Sequence, residues 1–347
     1  MDRLPIVSIV IPCRNEERYI DKCLDSIVTN DFPKDMLEVL VIDGLSEDKT
    51  REIIRRYSNQ YSYIKLLDNQ KKIVSTALNL GIKNAKGNII IRMDAHNIYK
   101  KDYISKCVKY ILSEYNADNV GGIWITLPGN NTILAKAIAL SLSHPFGVGN
   151  AFFRIGSKEP KYVDTVPFGC YKREVFDKIG YFDEDLIRNQ DDEFNLRLIK
   201  SGGKILLVPE IVSYYYARDS LLKLWRMYFQ YGYFKPLVVL KVGGVFTWRQ
   251  LIPIVFISGV IISGLLSFIL KPFFWMFLLL ISTYSLANLF FSFSLGLQKE
   301  RRCIFFLPIA FPVIHFSYGL GYLKGILDFV VWREQRRKRI KDLQLTR

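Results

Sequence analysis

Cysteine is scarce and scattered: five in 347 residues (Cys13, Cys23, Cys107, Cys170, Cys303), with no C-x-x-C pair. That excludes a small disulfide scaffold and reads as reduced packing residues facing the cytosol. The opening Met1-Asp2-Arg3-Leu4-Pro5 lacks the apolar run of a signal peptide. Zinc-finger spacing and aromatic-basic groove motifs are missing too, so no nucleic-acid partner is expected. The most telling absence is of charge. Segments 251–270, 273–297 and 303–323 contain no Asp, Glu, Lys or Arg, although 23% of the chain is charged. Half the residues are apolar and the mean hydropathy is +0.13. Apolar residues are therefore concentrated, which excludes a plain soluble enzyme and a disordered tail protein.

The net charge of +15 is unevenly placed. Residues 1–250 carry 36 basic and 29 acidic side chains, and residues 251–347 carry 12 and 4. Cations beside apolar segments are held on the cytoplasmic face, so half of the excess reads as membrane anchoring and orientation. About 20 apolar residues span a bilayer. Segments 251–270 and 273–297 meet that length and are parted only by Lys271-Pro272, a tight hairpin. Segment 303–323 contains Pro308, Pro312, His315 and the small residues Ser317, Gly319 and Gly321. The tail 333–347 has seven basic residues against two acidic, which the positive-inside tendency keeps in the cytoplasm. Two full spans with a re-entrant or interfacial third segment satisfy that count; three full spans are the alternative.

Before those segments the pattern changes. Short β-branched runs at 6–11, 39–42, 64–67 and 89–93 alternate with helical spacing at 19–27, 47–57 and 73–85. This alternation predicts a doubly wound α/β sheet, whose ligands bind beyond the carboxyl ends of the strands. From about residue 120 the alternation loosens, with helices expected at 174–179 and 192–200. Residues 219–234 predict an amphipathic helix, read as interfacial with core packing as the alternative. The expected organisation is a catalytic domain over 1–218, an interfacial helix and linker over 219–250, membrane segments within 251–332 and a basic cytoplasmic tail over 333–347.

Four polar clusters follow the strands: Pro12-Cys13-Arg14-Asn15-Glu16, Asp43-Gly44-Leu45-Ser46-Glu47-Asp48-Lys49-Thr50, Asp94-Ala95-His96, and Asn189-Gln190-Asp191-Asp192-Glu193. Singly, each admits a plain role as strand exit, helix N-cap or dipole partner. Together, three at successive sheet edges plus a carboxylate cluster point to one site. In Asp94-Ala95-His96, a carboxylate and an imidazole two residues apart suit Mn²⁺, which accepts both donor types. An ion there would bridge a nucleotide diphosphate and offset its charge on departure.

These residues carry a resemblance. The Val7–Glu17 opening, Asp43-Gly44-x-Ser46-x-Asp48-x-Thr50, Asn79-x-Gly81 with Ala85-x-Gly87, Asp94-x-His96 and Gln190-Asp191…Arg197 together resemble the family-2, inverting, GT-A-type glycosyltransferases. Arg92–His96, Gly147–Gly149 with Phe153-Arg154, and Val163–Thr165 narrow the likeness to the membrane-associated succinoglycan-type glucosyltransferases. The match covers about residues 5–235.

The resemblance implies a Rossmann-like GT-A domain with a mostly parallel sheet, followed by an α-helical membrane anchor. It implies that Pro12, Arg14 and Glu16 line a nucleoside pocket, that Asp43 hydrogen-bonds uracil, and that Asp94 meets the ribose or metal. His96 takes the place of the second metal-ligating Asp, for Mn²⁺ or Mg²⁺, and Asp191 is the general base. Gly169 matches the small acceptor-side residue; a plain turn glycine is the other reading. Two departures matter: the usual Glu-Asp reads Gln190-Asp191, leaving Asp192 as a second base candidate, and D-x-D reads D-x-H.

The activity so implied is transfer of one sugar from a nucleotide sugar, UDP-linked, to a polyprenyl-diphosphate-linked saccharide at the cytoplasmic face of the plasma membrane, in exopolysaccharide or cell-surface glycan assembly. Polyprenyl phosphate itself or a growing polysaccharide are alternative acceptors. A processive synthase would carry Gln-x-x-Arg-Trp after the base, and the nearest sequence, Leu224–Gln230, does not match it. A non-catalytic nucleotide-binding scaffold is the remote alternative.

Overall fold

Strand alternation explains the first of two compact units, which comprises residues 1–125 and 152–215. The structure, a computed structural model, describes residues 4–244 and 248–332; the basic tail at 333–347 lies outside the described residues. In β1 (Val7–Cys13), Val7, Ile9 and Ile11 enter one apolar core and Val10 enters another. β2 (Leu37–Asp43) divides likewise, Val39 and Val41 against Leu40 and Ile42. A strand buried on both faces reads as a continuous apolar run, and helices must then cover both sides.

They do. The helices α1 (Ile20–Val28), α2 (Thr50–Gln60) and α4 (Tyr103–Ile111) feed the first core, through Leu24, Ile54 and Ile104 among others. The second core takes α3 (Val74–Asn84), α8 (Arg173–Ile179) and α9 (Gln190–Lys200), through Leu78, Phe176 and Phe194. Gly81 lets α3 lie close on the sheet: a Cβ there would come within 2.3 Å of Val10.

β3 (Ile64–Asp68) and β4 (Ile89–Arg92) complete a parallel set with β1 and β2. The other strands are β5 (Asn97–Tyr99), β6 (Asn119–Leu127), β7 (Lys161–Tyr162), β8 (Cys170–Lys172) and β9 (Ile205–Tyr216). The nine-stranded sheet runs β3-β2-β1-β4-β8-β6-β9-β5, with β7 also pairing β9. β8 meets β4 and β6 antiparallel. Strand order reverses between β1 and β4, the position at which such sheets open a crevice for ligands. The expected strands and helices of the first hundred residues form as a mostly parallel α/β sheet. The later strands β6, β8 and β9 had no clear alternation to announce them.

Among the described residues, the second unit comprises 126–151, 216–244 and 248–332. It contains α5 (Ile133–Ser141), α10 (Leu221–Val242), α11 (Ile252–Leu266), α12 (Lys271–Lys299) and α13 (Leu307–Ile326). α10 and α13 approach backbone to backbone: a Cβ on Gly232 would lie 2.0 Å from the Tyr318 carbonyl oxygen, and one on Gly321 would lie 2.2 Å from that of Phe229. Small residues at such crossings allow close van der Waals packing of apolar helices. Asp328, 3% exposed, is satisfied there by the Tyr233 hydroxyl at 2.8 Å and by Lys324 at 3.3 Å.

Among the described residues one helix, α12, is long and apolar enough to cross a membrane. Its 29 residues span ~44 Å at 1.5 Å per residue, against a hydrocarbon core of ~30 Å. Trp275, Leu279, Leu286 and Phe290 stand exposed along it, a surface that water does not favour and lipid does. α11 is apolar but has only 15 residues.

Candidate active site

The first two polar clusters are fastened to each other. The Asn15 amide donates to Ser46 Oγ at 2.8 Å, the Glu16 amide to Thr50 Oγ1 at 2.6 Å, and the Glu47 amide to Asn15 Oδ1 at 2.9 Å. Asn15 and Leu45 adopt positive φ to make these turns. Side-chain oxygens thus take over amides that no strand or helix satisfies, as loops at strand ends require. Within this frame Pro12 and Glu16 are buried and Arg14 is exposed. Arg14 lies along Gly44, where an added Cβ would meet its side chain at 3.3 Å.

Asp43 closes β2 and is fully buried. Its Oδ2 accepts from the Ser46 amide at 2.9 Å and from Arg51 Nη1 at 2.6 Å; its Oδ1 accepts from the Ser46 hydroxyl at 2.5 Å. Cys13 Sγ adds a fourth, weaker contact at 3.7 Å. Arg51 also pairs with Asp68 at 2.8 Å, tying the ends of β2 and β3. A carboxylate has about four acceptor sites, so Asp43 is filled by the chain's own donors.

The third and fourth clusters meet through an arginine. Arg92 ends β4 and is 8% exposed. Its Nη2 lies 3.1 Å from Asp94 Oδ1, and its Nη1 lies 3.6 Å from Asp191 Oδ2. Burial works against the guanidinium's charge, but the carboxylates of Asp94 and Asp191 more than offset it and hold Arg92 protonated. Asp191 sits in the first turn of α9, whose N-cap Asn189 is left-handed, and its Oδ1 accepts from the Asp192 amide at 3.0 Å. Its side chain stays 42% exposed, open to solvent on one side of a crowded pocket. Burial pushes the Asp191 pKa up, Arg92 pulls it back, and Asp192 pushes it up again. A carboxylate poised above its ordinary value, yet reachable, is what general base chemistry asks for.

The first and third clusters also meet. His96 Nδ1 is 3.5 Å from Glu16 Oε1, and its ring stands edge-on to Tyr215 at 6.5 Å. One oxygen of Asp94 is taken by Arg92; the other carries no hydrogen bond from the described residues. No group of three or more His, Cys, Asp and Glu side chains among the described residues could hold a metal by itself. A carboxylate oxygen beside an imidazole fits an ion whose shell is completed by an incoming anion, as divalent ions bound through substrate phosphates are.

Gly169 follows Phe168, whose φ is 50°, and the space behind it belongs to the protein. A Cβ there would come within 2.5 Å of Asn119 Oδ1 and of the Tyr171 ring. Asp192 lies beside Asp191 in the first turn of α9. Lys71 pairs with Glu184 at 2.7 Å.

The four clusters therefore converge at the carboxyl ends of β1, β2 and β4. The residue that sequence reasoning passed over is Arg92, present only as a letter in a motif. A signal existed: an arginine directly after three isoleucines of a buried strand must find an acid, because buried charges are paired.

Residues 8–180 match the model of glycosyl transferase family 2. A dolichyl N-acetyl-alpha-D-glucosaminyl phosphate 3-beta-D-2,3-diacetamido-2,3-dideoxy-beta-D-glucuronosyltransferase of Methanococcus voltae is 34% identical over 92% of this chain and 97% of its own. The succinoglycan biosynthesis protein ExoA of Rhizobium meliloti is 29% identical over 92% of this chain and 95% of its own. In fold, the chain is similar to a mannosyltransferase of Pyrobaculum calidifontis, solved with GDP-Man and Mn²⁺, with a TM-score of 0.63 at 17% identity over 94% of this chain and 88% of that one. With a relative above 30% identity along nearly its whole length and a family model over residues 8–180, the chain belongs to glycosyl transferase family 2.

Proposed function

We propose that this glycosyltransferase moves one sugar, with inversion, from a UDP-sugar to a polyprenyl-diphosphate-linked saccharide at the cytoplasmic face of the plasma membrane, in the assembly of an exopolysaccharide or cell-surface glycan. The observation that carries the reading is Arg92, which holds Asp94 and Asp191 together at the sheet's switch point. Two relatives point the same way: one is named for a dolichyl-phosphate-linked sugar acceptor and the other for succinoglycan biosynthesis. The exposed apolar surface of α12 supports a lipid environment.

In this reading Asp191 takes the proton of an acceptor hydroxyl as that oxygen attacks the anomeric carbon, and Asp192 is the second candidate for that role. One in-line displacement inverts the anomeric centre. Arg92 orients Asp191 and favours its ionised form. Pro12, Arg14 and Glu16 line the nucleoside side of the cleft. Asp43, filled by Ser46 and Arg51, shapes that side by fixing the loop; a hydrogen bond to uracil would require Ser46 or Arg51 to yield. Asp94 and His96 would hold Mn²⁺ or Mg²⁺ against the diphosphate, where such an ion offsets the charge of the leaving group. Gly169 belongs to the acceptor side.

The test is a donor screen on membranes containing the protein, with UDP-glucose, UDP-galactose, UDP-N-acetylglucosamine and GDP-mannose, and lipid-extracted products read by mass spectrometry. One added sugar on a polyprenyl-linked product from a UDP donor is expected. No transfer from any UDP-sugar in the presence of membrane lipid extract would sink the reading.

A further inference from the structure

Arg154 has no role in the mechanism above, and its surroundings are unusual. It is 8% exposed. Its guanidinium lies 4.6 Å from the centre of the Trp124 ring, 5.4 Å from that of Phe153 and 5.4 Å from that of Tyr215. Trp124 and Tyr215 stack on each other at 4.7 Å and Phe153 meets Trp124 edge-on at 5.0 Å, so the three rings form one aromatic cluster against which the cation lies. Among the described residues no carboxylate pairs with it, and its buried Nη1 has no hydrogen-bond partner. Trp124 Nε1, also buried, lacks one as well.

Ring faces attract a cation but accept none of its five N–H donors in the way an oxygen does. A guanidinium with a buried, unpartnered Nη1 and no carboxylate is an incomplete arrangement, because buried charges are ordinarily paired and hydrogen-bonded. The group that completes it carries oxygen acceptors and negative charge. A phosphate or carboxylate matches the arginine fork in two parallel hydrogen bonds.

The cluster adjoins the transfer site on a definite side. Tyr215 is the ring that His96 meets edge-on, and Trp124 packs at 5.4 Å on Phe168, the neighbour of Gly169. Trp124 lies on β6 and Tyr215 on β9, across β4 and β8 from the β1 and β2 ends that carry Arg14 and Asp43. The nucleotide side and the Arg154 side are therefore opposite flanks of the same cleft.

We propose that Arg154 is an oxyanion-binding subsite for the acceptor, receiving a phosphate of the diphosphate that joins the acceptor sugar to its lipid, with the aromatic cluster as its apolar wall. The inference rests on the function proposed above, but its test needs no sugar transfer. Full-length protein in detergent, saturated with UDP to fill the donor side, is titrated calorimetrically with geranyl phosphate, geraniol and inorganic phosphate. Wild-type protein binds geranyl phosphate more tightly than geraniol. In Arg154→Met that margin is lost, a weakening of roughly 10- to 100-fold, as expected for charge-assisted hydrogen bonds. Arg154→Lys, which keeps the charge without the fork, retains part of it. Lys158→Met, at an exposed cation four residues along the chain, leaves it intact.

A second arm compares UDP-glucuronic acid with UDP-glucose in the absence of added UDP. If Arg154→Met weakens only the uronate donor, the oxyanion is the carboxylate of the transferred sugar, and the acceptor assignment is overturned while the subsite stands. If wild-type protein shows no preference for the phosphate over the alcohol, or Arg154→Met binds every probe as wild type does, the subsite itself is refuted. If the methionine variant fails to fold, Arg154→Lys carries the test: an unchanged phosphate margin in it refutes the fork as the binding group. A failed donor screen beside intact phosphate binding would overturn the proposed reaction and leave the subsite standing.

Discussion

Removing the cation between the two site carboxylates should move the enzyme's acid limb in a calculable direction. Arg92 Nη1 lies 3.6 Å from Asp191 Oδ2. At that distance a unit charge pair is worth about 1.2 kcal/mol at a dielectric of about 80 and about 4.6 kcal/mol at about 20. Asp191 is 42% exposed, and Arg92 divides its attention with Asp94, so the lower part of that range applies. Arg92→Gln removes that attraction and should raise the Asp191 pKa further. The sign follows from the role: the base acts ionised, so activity falls as pH drops through its pKa, and the limb moves to higher pH. Because Arg92 also holds Asp94, donor affinity falls too; the comparison is therefore of kcat at saturating donor, which reports groups in the bound complex. Arg92→Lys, which keeps the charge, should leave the limb near its wild-type position. An acid limb that stays put in Arg92→Gln, or moves to lower pH, refutes Arg92 as the group that keeps Asp191 ionised.

Gly169→Ala places a methyl within 2.5 Å of Asn119 Oδ1 and the Tyr171 ring. Overpacking of this kind costs about 1–3 kcal/mol, so the melting temperature should drop in protein without any acceptor; an unchanged value assigns the glycine to acceptor clearance alone. His96→Asp should keep activity in Mn²⁺, whereas His96→Ala should lose it, and chelation should silence the wild type reversibly. Equal activity of both variants in Mn²⁺ counts against His96 as a ligand.

The parallel half of the sheet was legible because its strands are buried on both faces and write themselves as apolar runs. β9 was not: Pro209 and Glu210 interrupt it, and Ser213–Tyr216 offers no hydrophobic alternation. The spacing of the four clusters located the site, since polar residues after buried strands have few other places to go. What the spacing could not show was how those residues satisfy one another. Asp43 reads as a ligand contact in sequence, yet its oxygens are occupied by Ser46 and Arg51, partners set by turn geometry rather than by any pattern. Arg92 and Arg154 both stood inside quoted motifs, but burial and pairing are tertiary properties. Arg92 had a signal in the three isoleucines before it, whereas nothing in the letters marks Arg154 as buried without an acid. The grouping of residues 126–151 with the later helices is tertiary in the same sense.

The measurement that tests the central claim most directly is Asp191→Asn, assayed for UDP affinity and for turnover in one preparation. The substitution keeps the side chain's shape and removes its basicity. UDP binding should be unchanged while turnover falls by ~10²–10⁴-fold, the usual contribution of a positioned general base. Turnover close to that of the wild type, with UDP binding intact, would contradict the assignment of Asp191 as the base.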